Sequence, residues 1–178
     1  MGLRGKFGET HAYKRIRGKM AMVSLPGSPD QLSETQKAIK DRFLRAVRYA
    51  KAQINDEKML AEYEKGITQK KNSAYVVALT DWLNAPKVSE IRTSDYVGAV
   101  GDPIRITATD DFKVVRLRVI LRASDGNELE RGDAVQDVKN SDTWHYTATV
   151  TNPSVAGTTI SATAFDTPDN ETTLEKVL

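Results

Sequence analysis

Cysteine is absent from the 178 residues, which removes disulfide stapling, thiol catalysis and Cys-ligated zinc from consideration. Histidine is scarce: His11 and His145 are the only two. His145 alternates with Trp144 and Tyr146, which puts it on the outward face of a strand, with no nucleophile or acid signature beside it. Long hydrophobic runs are missing as well. No stretch approaches the roughly 18 apolar residues of a membrane span. The first apolar run, Met20-Ala-Met-Val-Ser-Leu25, is too short and too far from Met1 for the core of a secretory signal. There is no Gly-rich phosphate loop ending in Lys-Ser/Thr, no Gly-x-Ser-x-Gly elbow and no His-Glu-x-x-His pair. The expectation is a soluble protein that is not an enzyme, uses no cofactor and does not enter a membrane.

Charge is plentiful and unevenly placed. Residues 1–71 hold 16 Lys/Arg against 8 Asp/Glu, a net of +8, whereas residues 72–178 hold 10 against 16, a net of −6. A basic half beside an acidic half points either to an anionic partner or to contact between the halves of neighbouring subunits. The basic character begins in an arm, residues 1–32. Arg4, Lys6, Lys14, Arg15, Arg17 and Lys19 face a single acid, Glu9, over residues 1–19. Gly2, Gly5, Gly8 and Gly18 are expected to break regular structure there, although Met20 to Leu25 suits a short strand before the Pro26-Gly-Ser-Pro29 break. Such an arm can thread a neighbouring subunit, lie on nucleic acid, where binding would depend steeply on salt, or be a solvated terminus.

Residues 33–85 read as helical. Ser33-Glu-Thr-Gln36 is a capping box. Ile39, Phe43, Val47, Ala50 and Ile54 follow at helical spacing, predicting a packed face, with Lys40, Arg42, Arg45, Arg48 and Lys51 around the remainder. Asp56 is placed to cap a second helix through Met59, Leu60 and Tyr63, with Gly66 as its stop. Asn72 or Ser73 is placed to cap a third that carries Tyr75, Val76, Leu79, Trp82 and Leu83 and ends before Pro86.

Residues 86–178 alternate with period two. Ile104 to Thr109 and Val115 to Arg122 are the clearest runs; in the second, Val115, Leu117, Val119 and Leu121 point one way and Arg116, Arg118 and Arg122 the other. Asp125-Gly126 then marks a hairpin. Glu128 to Val138 suits one broken strand. Trp144 to Val150, with Trp144, Tyr146, Ala148 and Val150 on one face, Thr158 to Phe165 and Thr172 to Val177 complete a set of about seven short strands, which predicts a β-sandwich. The fold class expected is therefore α+β: a basic arm, short helices, then an all-β sandwich.

The segments ITATDDFKVVRLRV, SDGNELERG, TWHYTATV and GTTISATAFDTPDNETT resemble bacterial immunoglobulin-like (Ig-like) modules, in which a strand ending Ala-x-Asp is paired with a Trp-bearing strand and a late Asp-to-Asn turn. The resemblance covers roughly residues 86–178 and implies a fold but no activity. Asp169 stands where such turns usually carry Gly. Separately, SETQKAIKDRFLRAVRYAK is similar to a helix found before β-rich domains in Bacteroidota proteins, through Gln36, Arg42 and Phe43; it implies no activity either.

Asp110, Asp111, Asp166 and Asp169, with Asn170, follow two predicted strands, and in an Ig-like topology these loops share one end of the sandwich. Oxygen-only groups suit Ca²⁺, yet turns favour Asp and Asn regardless, so no metal is expected. Asp125, Glu128, Glu130 and Asp133 read as a loop run. Phe43, Trp82 and Trp144 are the candidate core or interface anchors, Trp144 within the sandwich.

The function expected is a non-enzymatic structural or assembly protein, in a virion or the host cytoplasm. A bacteriophage virion, with the chain as a capsid-associated or decoration component, is the setting favoured. The partners would be other protein subunits, with nucleic acid a second candidate through the arm. The alternatives are a nucleic-acid-associated binding protein and a bacterial envelope or adhesion module.

Overall fold

The computed structural model describes residues 5–7, 11–16, 19–24 and 32–178. Among these the chain is α+β, with three helices and eleven strands in three antiparallel sheets. Two compact units are formed, Met1–Asp41 and Arg42–Leu178. Among the described residues no helix is long and apolar enough to cross a membrane.

The first unit contains β1 (Gly5–Phe7), β2 (His11–Ile16) and β3 (Lys19–Ser24), hydrogen-bonded in that order. This corrects the expectation that glycines would leave the arm irregular: Gly5 pairs with Tyr13 and His11 with Ser24. Ladder pairing outweighs the modest entropic cost of a glycine within a strand. Arg4 and Arg17 lie outside the described residues, as does the side chain of Lys6. Lys14, Arg15 and Lys19 are exposed on β2 and β3.

Helix α1 (Glu34–Ile54) opens with the capping box intact: Gln36 N donates to Ser33 Oγ at 3.2 Å and Ser33 N to Gln36 Oε1 at 2.9 Å. Its apolar stripe is buried only in part. Ala46 and Ala50 are fully buried, but every residue from 34 to 45 is exposed, including Ile39 (65%) and Phe43 (47%). The expected packed face therefore begins about two turns later than the periodicity suggests. Two alanines at i and i+4 allow the close approach that the longer side chains do not.

Helix α2 (Glu57–Glu64) is capped by Asp56, whose Oδ1 accepts from Lys58 N and Met59 N. Helix α3 (Ala74–Leu83) is capped by Ser73. Gly66 follows α2 because a side chain there would collide: a Cβ would stand 2.7 Å from Val77 Cγ1 and 2.8 Å from Phe112 Cδ2. Ala50, Tyr63, Ala74, Val77 and Ala78 form a small core that includes the partly buried Phe112, so the helices pack on the β region. The residues α3 buries fully are Ala74, Val77, Ala78 and Asp81, whereas the expected Tyr75, Val76, Leu79, Trp82 and Leu83 are buried only in part. The larger side chains ride half-exposed while the small ones permit close packing.

Two four-stranded sheets follow. One is ordered β4 (Lys87–Arg92), β5 (Pro103–Thr109), β9 (Thr143–Thr147), β8 (Val135–Gln136). The other is ordered β11 (Glu171–Val177), β10 (Thr159–Asp166), β6 (Val114–Arg122), β7 (Glu128–Asp133). Inward residues of both, including Ile104, Ile106, Trp144, Leu117, Val119, Leu121 and Ile160, make one continuous core, an arrangement compatible with a β-sandwich. The expected single broken strand at 128–138 is two strands in different sheets, with buried Ala134 at the crossing. The Asp125-Gly126 hairpin forms with Gly126 at φ 87°. Two inward assignments change. Val115 is exposed because the β6–β10 register slips there, Asp166 pairing with Val114 and Phe165 with Arg116, and Val114 turns inward instead. Val150 lies beyond the end of β9 and is also exposed.

Candidate metal centre

Three aspartates converge where α3 meets one end of the paired sheets. Asp81 sits on the buried face of α3, at i, i+3, i+4 and i+7 with Ala74, Val77 and Ala78. Asp110 directly follows β5. Asp166 is the last residue of β10, where the register slip that displaces Val115 brings it opposite Val114. One carboxylate oxygen from each lies within 4.8 Å of the other two.

Asp81 and Asp166 are fully buried; Asp110 is half-buried and lines a small cleft with Phe112, Gln136 and Asp142. Asp81 Oδ2 accepts from Tyr63 Oη at 2.8 Å, and Tyr63 Oη is itself 2.8 Å from Tyr49 Oη. Asp166 accepts from Asn170 N at 2.7 Å and from Asn170 Nδ2 at 2.8 Å. Asn170 Nδ2 also reaches the carbonyls of Asp81 and Trp82 at 3.3 Å, tying the turn after β10 to α3. Asp110 Oδ2 accepts from Phe112 N. Asp81 Oδ1 and Asp110 Oδ1 are buried with no hydrogen-bond partner, as is the hydroxyl of Thr167 beside Asp166.

No lysine or arginine among the described residues pairs with the three. Ionised carboxylates this close repel by on the order of 3 kcal/mol per pair at an effective dielectric near 20. Burial, and then Asp110 and Asp166, push Asp81 from 3.8 to about 8 against the lowering effect of Tyr63. Burial chiefly, with a smaller push from Asp110, lifts Asp166 to about 6. A contrasting buried acid shows what satisfaction looks like here. Glu130 Oε2 accepts from Tyr146 Oη, Thr149 N and Thr149 Oγ1, so it belongs to β7 and joins the two sheets rather than lying in a loop run. Chemically, the aspartate cluster can share protons or hold a cation.

Of the four aspartates singled out in the sequence, two meet. Asp111 instead accepts from Lys71 Nζ at 2.8 Å and from Asn84 Nδ2 at 3.1 Å. Asp169 is exposed and takes φ 64°, the left-handed conformation for which Gly is the usual choice. Asp81 was missed; the signal for it was an acid on the small-residue face of a predicted helix. Trp144 is buried in the core with Nε1 unpartnered. Trp82 is half-buried. Phe43 is not a core anchor, since it stands exposed on α1. His145 is partly buried and lies 3.0 Å from Asp137.

No known protein family matches this sequence, and no curated protein does. Among solved structures, the chain is similar to the crystal structure of CopC from Methylosinus trichosporium OB3b, with 12% identity and a TM-score of 0.39 over 51% of this chain and 87% of that one.

Proposed function

We propose that this protein is a non-enzymatic structural component that assembles with further copies of itself through its N-terminal sheet and the leading turns of α1. The observation that carries this reading is the exposed start of α1. Residues 34–45 span about 18 Å at 1.5 Å per residue and bear Ile39, Phe43 and Leu44 at 65%, 47% and 41% exposure. A helical stretch this short is marginal without something to pack on. Burying what remains exposed of those three side chains would contribute about 3–5 kcal/mol. Strand β3 is a sheet edge among the described residues and alternates exposed Met20 and Met22 outward, which suits strand-to-strand contact. A second copy is the occupant because the chain supplies its own complement: the +8 half of one subunit matches the −6 half of the next. Such a head-to-tail contact repeats into rings or filaments.

The C-terminal β region is read as an Ig-like module. The order β4-β5-β9-β8 beside β11-β10-β6-β7 parallels the A-B-E-D and G-F-C sheets of that fold, with one strand added next to C. Trp144 departs from the pattern, lying on the strand in the E position rather than on C. The particular assembly we favour is a bacteriophage virion, with the chain capsid-associated or decorating, by analogy with Ig-like modules in such particles.

Limited proteolysis at rising protein concentration tests the assembly. Residues 5–45 should gain protection as concentration rises, and cleavage that is equally fast at all concentrations would overturn the reading. Binding to duplex DNA that weakens steeply with salt would replace it with a nucleic-acid role for Lys14, Arg15 and Lys19. Recovery in a cell-envelope fraction would replace it with adhesion.

A further inference from the structure

The geometry points to a divalent-cation site of calcium's class at Asp81, Asp110 and Asp166, which fastens helix α3 to the turns after β5 and β10. Two independent observations meet here. The first is placement: three carboxylates from three separate elements offer oxygens no more than 4.8 Å apart. That spacing fits within the diameter of a coordination sphere whose Ca–O distance is about 2.4 Å. The second is dissatisfaction. Asp81 is fully buried, and its Oδ1 has no donor, as is also true of Asp110 Oδ1. Buried polar atoms in folded proteins are nearly always paired, and an orphaned carboxylate oxygen is among the costliest exceptions.

Shared protons are the competing explanation. They account for close carboxylates but leave the crowding of three acids, with no lysine or arginine paired to them, without a use. A dication balances two of the three charges and gives both orphan oxygens a partner at once. The donor set is entirely oxygen, the preference of hard cations rather than of zinc or copper. The second oxygens of Asp81 and Asp110 are already held by Tyr63 and Phe112, and both oxygens of Asp166 accept from Asn170, which leaves a further lone pair on each for a cation; these are the outer contacts that orient metal ligands. Half-buried Asp110, at the edge of its cleft, offers the way in. A cation there would join helices to β region, so its effect is on cohesion of the second unit.

The test uses the full chain stripped with a chelator and then titrated with Ca²⁺. Two readouts are taken: the thermal midpoint, and luminescence of Tb³⁺ as a calcium surrogate, excited through Tyr63. The expected result is a midpoint that climbs with the logarithm of Ca²⁺ concentration, and Tb³⁺ emission that Ca²⁺ displaces. Asp81→Asn and Asp166→Asn should each weaken binding by about tenfold to a hundredfold, while Asp111→Asn, whose carboxylate belongs to Lys71, should leave it intact. Absence of both responses in the wild type would overturn the site in favour of shared protons, whatever the variants do. So would undiminished Tb³⁺ emission in Asp81→Asn.

Discussion

Replacing Asp81 with Asn should act in opposite directions with and without a bound cation. In metal-free protein, Asp81 is raised from 3.8 to about 8 by burial and by its acidic neighbours. A carboxyl whose folded pKa lies above its unfolded value favours the fold fully only below the unfolded value. That contribution is lost as pH climbs toward the folded one, here between about pH 4 and pH 8. At pH 7 the folded chain must carry a proton that the unfolded chain has released. The cost is about 1.4 kcal/mol for each unit between 3.8 and 7, or roughly 4 kcal/mol before the site relaxes. Asn keeps an acceptor for Tyr63 and presents an NH₂ to Asp110 and Asp166. The chelated variant should therefore be more stable than wild type by about 2–4 kcal/mol at pH 7, and by clearly less at pH 5. As Ca²⁺ is raised the wild type gains more from its ion than the variant, which binds it more weakly, and the difference should shrink or reverse. Urea unfolding at both pH values, with chelator and with Ca²⁺, reads all four conditions. A chelated variant less stable than wild type at both pH values would refute the reasoning, because Asp81 would then be an ordinary acceptor for Tyr63.

Two further outcomes are expected. Gly66→Ala should destabilise by about 1–3 kcal/mol, since its methyl would meet Val77 and Phe112 at 2.7–2.9 Å; a change in the urea midpoint too small to resolve would contradict this packing. Glu62, held down to about 2 first by Lys65 and then by Lys113, supports the fold above its ordinary value of 4.5, and that support fades as pH falls toward 2. Glu62→Gln should accordingly raise the midpoint of acid unfolding toward neutral pH, and an unchanged acid transition would contradict the pairing.

The helix boundaries were legible because their signals are local. Ser33, Asp56 and Ser73 accept the amide hydrogen bonds that their positions promise. The alternating strands were legible for the same reason, with inward Leu117, Val119 and Leu121 as the periodicity requires. What failed needed knowledge of neighbours. Tyr75 and Leu79 do pack against the helical core, but its fully buried members on α3, Ala74, Val77 and Ala78, are small residues that only the neighbouring elements single out. Val115 fits the alternation and is exposed only because a register slip, set by its partner strand, intervenes. Two of the three clustered aspartates, Asp110 and Asp166, could be found from the ends of two strands. Asp81 could not be placed with it, since 29 residues separate it from Asp110 and nothing local aims a helix at that turn. Asp111 and Asp169 have the same composition signal and different partners.

The central claim, assembly through the leading half of α1, is tested most directly by the sedimenting mass of the full chain at low and high salt, beside Ile39→Ser/Phe43→Ser. The wild type should sediment as a multiple of the monomer at low salt. It should lose mass as screening weakens the contact between oppositely charged halves, and the double variant should be smaller at every salt. A wild type that stays monomeric at high concentration and low salt would contradict the account.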